Sequence, residues 1–301
     1  MPCSLYSSAY LDENTFDRLL LQLNPNKDRI KDEVSINLAK VEFIDTYGMI
    51  GLLELGWYLR KNLGIIPILI LPQSEDVLKY LERMDFFKNV SPPFEIDIST
   101  MQIEDQFLRS SHSDVLLEIT KIEGTDDIHS IVDRVRRGAE VILRTHLHYN
   151  DAAIDSFIVA LSEICQNIPE HSQNVGYVGI QKYFYEKKLG KNVVKIAVMD
   201  LGIGIKESLG QRYSDLYGEK WSDTLAIELA LFKSTSRYED IGRGHGLTNV
   251  RKLVQKWNGK FMIRSGIAKV GIVPGWDATK PQQSLLRFFP GTQISIILPE
   301  F

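Results

Sequence analysis

The chain has 301 residues, 44% hydrophobic and 25% charged, with 21 Gly and 11 Pro. That length suits two domains, each large enough to bury a core, and that composition excludes collagen-like, disordered and low-complexity classes. With 35 Lys and Arg against 39 Asp and Glu the net charge is −4, too near neutral for a chain whose main task is to coat a phosphate backbone, so no nucleic-acid partner is expected. The two cysteines, Cys3 and Cys165, stand far apart and offer neither a disulfide framework nor a four-ligand zinc site, which suits a reducing compartment. The start MPCSLYSSAY has no basic segment leading into an apolar one, and the longest apolar run, Ile65 to Leu71, is broken by Pro67 and falls far short of a membrane span. A cytoplasmic protein with no membrane partner is expected.

In chain order, the spacing predicts a helix from Glu13 to Leu23 with Phe16, Leu19, Leu20 and Leu23 on one stripe, then strands at Val34 to Leu38 and Ile65 to Leu71. Between those strands a helix starts in FIDTYGM, where Asp45 and Thr46 can supply capping oxygens, and runs to about Leu63 before Gly64. A further helix, Ser74 to about Met84, follows Pro72, and Asn89 to Pro93 reads as a turn. The irregular polar stretch Phe94 to Ser113 puts a domain boundary near residue 110. The second block opens with a strand, Val115 to Thr120, and helices from about Asp126 to Thr145 and from Asp151 to Ile168. Strands at Tyr177 to Tyr185 and Val193 to Met199, helices at Ser222 to Phe232 and Leu247 to Trp257, and strands at Lys260 to Arg264 and Gln293 to Leu298 complete it. The expected fold class is α/β: an α/β domain followed by a two-layer α/β sandwich of helices on a mostly antiparallel sheet.

Three segments of the second block carry the residue types of a nucleotide site. On the helix Asp151 to Ile168, an apolar stripe of Ile154, Phe157, Ile158, Leu161, Cys165 and Ile168 leaves Glu163 and Asn167, four apart, on another face. That spacing aims a proton-accepting carboxylate and an oxygen donor for a hard cation in one direction; Pro169 should kink or end the helix near His171. The strand ending at Asp200 is followed by Gly202 and Gly204. A carboxylate there can accept from the exocyclic amine of adenine, and glycines let a flat base approach the backbone. In GRGHGLTNV, Gly242, Gly244 and Gly246 alternate just before an amphipathic helix, where bare N–H groups and the helix dipole make an anion site suited to a triphosphate. Each pattern taken alone has an ordinary reading as a polar helix face, a turn or a loop.

Taken in order, ExxxN on a helix, DxGxG after a strand and GxGxGL into a helix resemble the GHKL ATPase superfamily with its Bergerat fold. Gly291 and Thr292 in FPGTQISIILP are similar to its last glycine box. The resemblance covers roughly residues 113 to 301 and implies binding of ATP with Mg²⁺. The opening LLEITKIEGTDDIHSIVDRVRRGAEVIL followed by DSFIVALSEICQNIPEHS is more similar to anti-sigma-factor serine kinases than to sensor histidine kinases. None of His112, His129, His146, His148, His171 and His245 sits in a phosphoacceptor context. Gyrase and mismatch-repair relatives carry a further domain after the last glycine box, whereas this sequence stops at Phe301, so the kinase-like branch is expected.

For that branch the resemblance implies Glu163 as general base, Asn167 as Mg²⁺ ligand and nucleotide contact, and Asp200 as the adenine-reading acid. Gly202, Gly204, Gly242, Arg243, Gly244, His245, Gly246, Leu247 and Thr292 are implied as nucleotide-binding residues, with a lid from Lys233 to Gly242 that includes Arg237. Residues 5 to 98, through INLAKVEFIDTYGMIGLLELGWYLRKNLGIIPILIL, resemble a STAS-type domain, the fold of anti-sigma-factor antagonists. In antagonists a phosphorylatable Ser directly precedes the turn's Gly; here Tyr47 precedes Gly48, with Thr46 one earlier. A docking or regulatory module blind to phosphorylation is therefore expected, and Thr46 stays open as an acceptor in cis. The expected organisation is a STAS-like domain at 1–110 and a GHKL ATP-binding domain at 111–301. Together they imply an ATP- and Mg²⁺-dependent protein kinase acting on Ser or Thr of a STAS-type antagonist or another sigma-factor-pathway protein, with a homodimer compatible with the resemblance. An ATP-dependent switch without phosphoryl transfer, and an atypical histidine kinase, are the other readings.

Overall fold

The computed structural model describes residues 3–23, 33–96, 116–123, 128–171, 175–233 and 246–301. The chain divides into two compact units, Met1–Asp114 and Val115–Phe301; the stretch around residue 110 lies outside the described residues.

The first unit runs β1 (Cys3–Tyr6), β2 (Tyr10–Leu11), α1 (Glu13–Leu21), β3 (Val34–Asn37), β4 (Phe43–Ile44), α2 (Thr46–Leu63), β5 (Ile68–Ile70), α3 (Glu75–Arg83), α4 (Phe86–Asn89) and β6 (Glu95–Ile96). Among the described residues, β1, β3, β5 and β6 form a parallel sheet in that order, and β2 pairs in parallel with β4. Strand β5 is shorter than its apolar run because Pro67 has no N–H to give a ladder. Helix α2 starts where Asp45 accepts from the Gly48 N–H at 2.9 Å. Asp45 alone is the N-cap; Thr46 is the first helical residue. From Thr46 to Gly56 every residue of α2 is buried, as expected for a helix that is apolar all round. Phe16 of α1 packs where Gly51 lacks a side chain, since a Cβ there would stand 2.9 Å from the ring, and it meets the Tyr47 ring edge-on at 6.0 Å. Thr46 is 0% and Tyr47 3% exposed, so neither hydroxyl is presented to solvent as a phosphate acceptor.

The second unit runs β7 (Leu116–Ile122), α5 (Ile128–Leu147), α6 (Asp151–His171), β8 (Gly176–Tyr185), β9 (Lys191–Asp200), α7 (Gly204–Tyr217), α8 (Asp223–Phe232), α9 (Gly246–Lys256), β10 (Lys260–Gly266), β11 (Ala268–Ile272), β12 (Gln282–Gln283) and β13 (Phe289–Pro299). Among the described residues these strands form one antiparallel sheet in the order β12-β11-β10-β13-β9-β8-β7. Alternate residues of its inner strands, including Val178, Ile180, Val194, Ile196, Val198, Phe261, Ile263, Ile294 and Ile296, share one core with Phe157, Ile158, Leu161 and Cys165 of α6 and with residues of α5, α7, α8 and α9. The fold is therefore a two-layer α/β sandwich. Burial pushes the Cys165 thiol up to about 12, which makes it a packing group rather than a nucleophile.

On the opposite side of β10, Lys260 and Arg264 are buried against the segment between β11 and β13. Lys260 donates to Thr279 Oγ1 at 2.8 Å and faces Asp277; Arg264 donates to the Arg287 carbonyl. Helix α7 and strand β11 have no counterpart in the periodicity. The sequence GIKESLGQRYSDLY buries only Ile205 and Leu209, too few to mark a stripe. Among the described residues no helix is long and apolar enough to cross a membrane.

Phe16→Ala should destabilise the first unit by about 3–5 kcal/mol, because the pocket between α1 and α2 cannot collapse onto Gly51. Urea denaturation followed by circular dichroism checks this.

Candidate functional site

Asp200 is the last residue of β9, in register with Gly176 of β8 on one side and Thr292 of β13 on the other. The residue as a whole is half-buried. The Gly202 N–H donates to its carboxylate at 2.7 Å, and the backbone N–H of Thr292, the register partner of Asp200 on β13, also favours the ionised form. Burial outweighs these two donors and raises the pKa from 3.8 to about 7. Near neutral pH the group is thus divided between an acid and an acceptor-only carboxylate. A donor such as an exocyclic amine, brought against it, favours the ionised form.

The backbone around Asp200 is bent to reach it. Ser265 pairs with Thr292 but Gly266 pairs with Phe289, so Pro290 and Gly291 bulge out of β13 where it passes the end of β9. Such bulges re-aim the chain beside functional sites. Gly291 has φ 74°, and a Cβ on it would run into the Asp200 carbonyl; only glycine meets both conditions. Gly204 has φ 77°, and a Cβ on it would stand 2.8 Å from Ser265 Oγ. Gln293 braces the same corner: its amide donates to the Asp200 carbonyl at 3.4 Å and to the Pro290 carbonyl at 2.7 Å, while its oxygen accepts from Arg264 at 3.3 Å.

The second group of residues gathers where α9 begins. Gly246, its first residue, lies directly against α6: a Cβ there would stand 2.9 Å from Glu163 Oε2 and 3.4 Å from the Ala160 carbonyl. The start of α9 is fixed by Thr248, whose hydroxyl is 3.4 and 3.3 Å from the carbonyls of Ala230 and Leu231 at the end of α8. Leu247 is half-buried and packs on the core. A carboxylate therefore stands beside the first turn of a helix, where N–H groups have no intrahelical carbonyl to pair with, the arrangement that favours a bound anion next to a proton acceptor. Asn167, one turn further along α6, is exposed. Its neighbour Ile168 packs on Gly176, the register partner of Asp200. The end of α6 is thereby tied to the end of β9.

The structure thus gathers Asp200, Gly202, Gly204 and Thr292 in one corner and Glu163 with Gly246 in another, and α6 connects the two. Gly242, Arg243, Gly244, His245 and Arg237 lie outside the described residues. Lys233 ends α8, its N–H bonded to the Leu229 carbonyl. Sequence reasoning did not single out Ser265, Gln293 and Arg264. All three are buried polar residues on inner strands, and a polar residue in an otherwise apolar strand was the signal that could have found them.

Residues 153–300 match the family of histidine kinase-, DNA gyrase B- and HSP90-like ATPases. This segment is a GHKL-type ATP-binding module. It starts just inside α6 and ends just after β13, so it contains both corners of the site and the whole sheet except β7, and its α/β architecture is the Bergerat fold. The chain matches no curated protein sequence. In a P-loop or Rossmann unit the glycine loop leads directly from a strand into the helix that holds phosphate; here the glycine loop after β9 leads into α7, and α9 begins only after α8.

The raised pKa of Asp200 has a definite sign for stability. The native state holds a proton that the unfolded chain releases, so this group stabilises most fully below 3.8, and its contribution falls as pH rises towards about 7. Asp200→Asn should flatten the fall in melting temperature across that window, relative to the parent chain in the same buffers. Identical slopes for the two proteins would mean that Asp200 does not titrate there.

Proposed function

We propose that the chain is an ATP-dependent serine/threonine protein kinase of the anti-sigma-factor type, acting in the cytoplasm on a hydroxyl of a separate signalling protein. The observation that carries this reading is the placement of the Glu163 carboxylate directly against the first residue of α9. A proton acceptor in that position lies next to where a helix start would hold the terminal phosphates.

In this scheme Asp200 accepts from the adenine amine, and Gly202 and Gly204 leave room for the ring. Backbone N–H groups at the start of α9 hold phosphate oxygens. Glu163 takes the proton of the incoming Ser or Thr hydroxyl as its oxygen bonds to the γ-phosphorus, the bond to the β,γ-bridging oxygen breaks, and ADP leaves. Asn167 fits a hard divalent ion, having an exposed carboxamide oxygen on the turn after Glu163. Among the described residues no cluster of three or more His, Cys, Asp or Glu could hold a metal, so an ion at Asn167 would draw its other ligands from phosphate and water, as Mg²⁺ does. When bound, Mg²⁺ neutralises phosphate charge.

The first unit supports a partner-switching role by its resemblance to STAS domains: a parallel sheet and an Asp45-capped α2 entered through FIDTYGM. Burial of Thr46 and Tyr47 favours an acceptor on another protein over one in cis. A STAS-type antagonist is the partner class this implies.

Incubation with γ-labelled ATP, Mg²⁺ and STAS-type antagonist proteins should transfer label to Ser or Thr. Glu163→Ala should keep ATP affinity within a few-fold and lose transfer by roughly 10²–10⁴. Transfer by Glu163→Ala at the parent rate would sink the assignment. If Glu163→Ala also preserved the cellular output while Asp200→Asn abolished it, nucleotide occupancy rather than transfer would be the signal.

A further inference from the structure

We infer that Ser265 is a positioning residue for base recognition: it acts through the Gly291–Thr292 peptide to hold the Asp200 carboxylate where it discriminates adenine from guanine. This rests on the reading of Asp200 as the group that meets the base.

The geometry is a chain of hydrogen bonds with Ser265 at its centre. Ser265 is 2% exposed and lies near the end of β10, opposite Thr292. Its Oγ accepts from the Ile205 N–H, at the start of α7, at 3.0 Å. Its hydroxyl donates to the Gly291 carbonyl at 2.8 Å. That carbonyl belongs to the same peptide group as the N–H of Thr292, the register partner of Asp200 on β13, and this N–H favours the ionised Asp200 carboxylate. The sequence of donors therefore runs from the positive end of α7, through one hydroxyl and one peptide plane, to the acid. Each bond in such a chain polarises the next.

The bulge explains why a side chain does this. Because β13 skips Pro290 and Gly291 in its pairing with β10, the Gly291 carbonyl turns out of the ladder and needs a partner that the strand cannot give. Gly204, whose Cβ would stand 2.8 Å from Ser265 Oγ, leaves space for that partner. The hydroxyl thus ties together the loop after Asp200 and the last glycine box, two segments far apart in sequence. Orientation of the Thr292 N–H, and through it of the carboxylate, is fixed from behind the site by a residue that need not touch the nucleotide.

Titration calorimetry of the full chain with Mg²⁺-ATP, Mg²⁺-GTP and inorganic tripolyphosphate tests this in four proteins: the parent, Ser265→Ala, Asp200→Asn and the double variant. Ser265→Ala should weaken ATP by roughly ten- to a hundredfold, as expected when buried polar groups lose their partner, and should narrow the ATP-to-GTP ratio while leaving tripolyphosphate unchanged. Added to Asp200→Asn, it should cost little more, because the two act on one interaction. Ser265→Thr keeps the hydroxyl and should keep the ratio. Ser265→Cys, similar in size but a weak donor and acceptor, carries the same test if the alanine variant does not fold. An unchanged ATP-to-GTP ratio in Ser265→Ala, equal weakening for tripolyphosphate, or additive losses in the double variant would each overturn the inference. A parent chain with no preference for ATP would instead overturn the reading of Asp200 itself.

Discussion

The arrangement of the second unit depends on one carboxylate that water cannot fully reach. Asp200 closes strand β9 between two neighbours, and burial alone would keep it protonated well into the neutral range. Backbone N–H groups from Gly202 and Thr292 offset part of that cost. For both to arrive, the chain after β9 must fold back at once and β13 must bulge as it passes. Gly204, Gly291 and the buried Gln293 are there because of that requirement, and the antiparallel pairing of β9 with β13 sets the register that makes it achievable.

The other end of the proposed site is built differently, from helix contacts rather than from sheet geometry. Helix α6 turns its apolar stripe into the core and its Glu163 towards α9, and the bare Cα of Gly246 allows the two helices to touch at that point. The side proposed to meet the base and the side proposed to meet phosphate are therefore held by separate devices. They share α6, whose Ile168 rests on the strand next to Asp200. This division suits a scheme in which base recognition and phosphate chemistry answer to different substitutions.

Much of this framework was readable from pattern. The α6 stripe of Ile154, Phe157, Ile158, Leu161, Cys165 and Ile168 is buried throughout, because a 3.6-residue repeat of large apolar groups leaves a helix few other ways to pack. The dense β-branched run before Asp200 likewise forms strand β9. Helix α7 was not readable: with two glycines and only two buried apolar residues, its position comes from tertiary contacts rather than from its own periodicity. The bulge and Ser265 were invisible for a different reason, since they depend on which strands are neighbours, and β10 meets β13 across an intervening hairpin that spacing does not reveal. At the start of α2, Asp45 and Thr46 are both good capping types, and only the backbone path decides that Asp45 takes the role while Thr46 goes inside. For Gly242, Arg243, Gly244 and His245 the pattern stands without a structural counterpart among the described residues.

The closeness of Gly246 to Glu163 bears on how such a protein could lose its chemistry. A single added methyl at 246 would stand 2.9 Å from Glu163 Oε2 and 3.1 Å from its Cβ, so the carboxylate would have to move, while the residues around Asp200 lie on other elements. Under the proposed role of Glu163, one small substitution thus separates an active phosphotransferase from a silent nucleotide holder. Descent from a signalling enzyme to a pseudoenzyme would require no rebuilding of the fold.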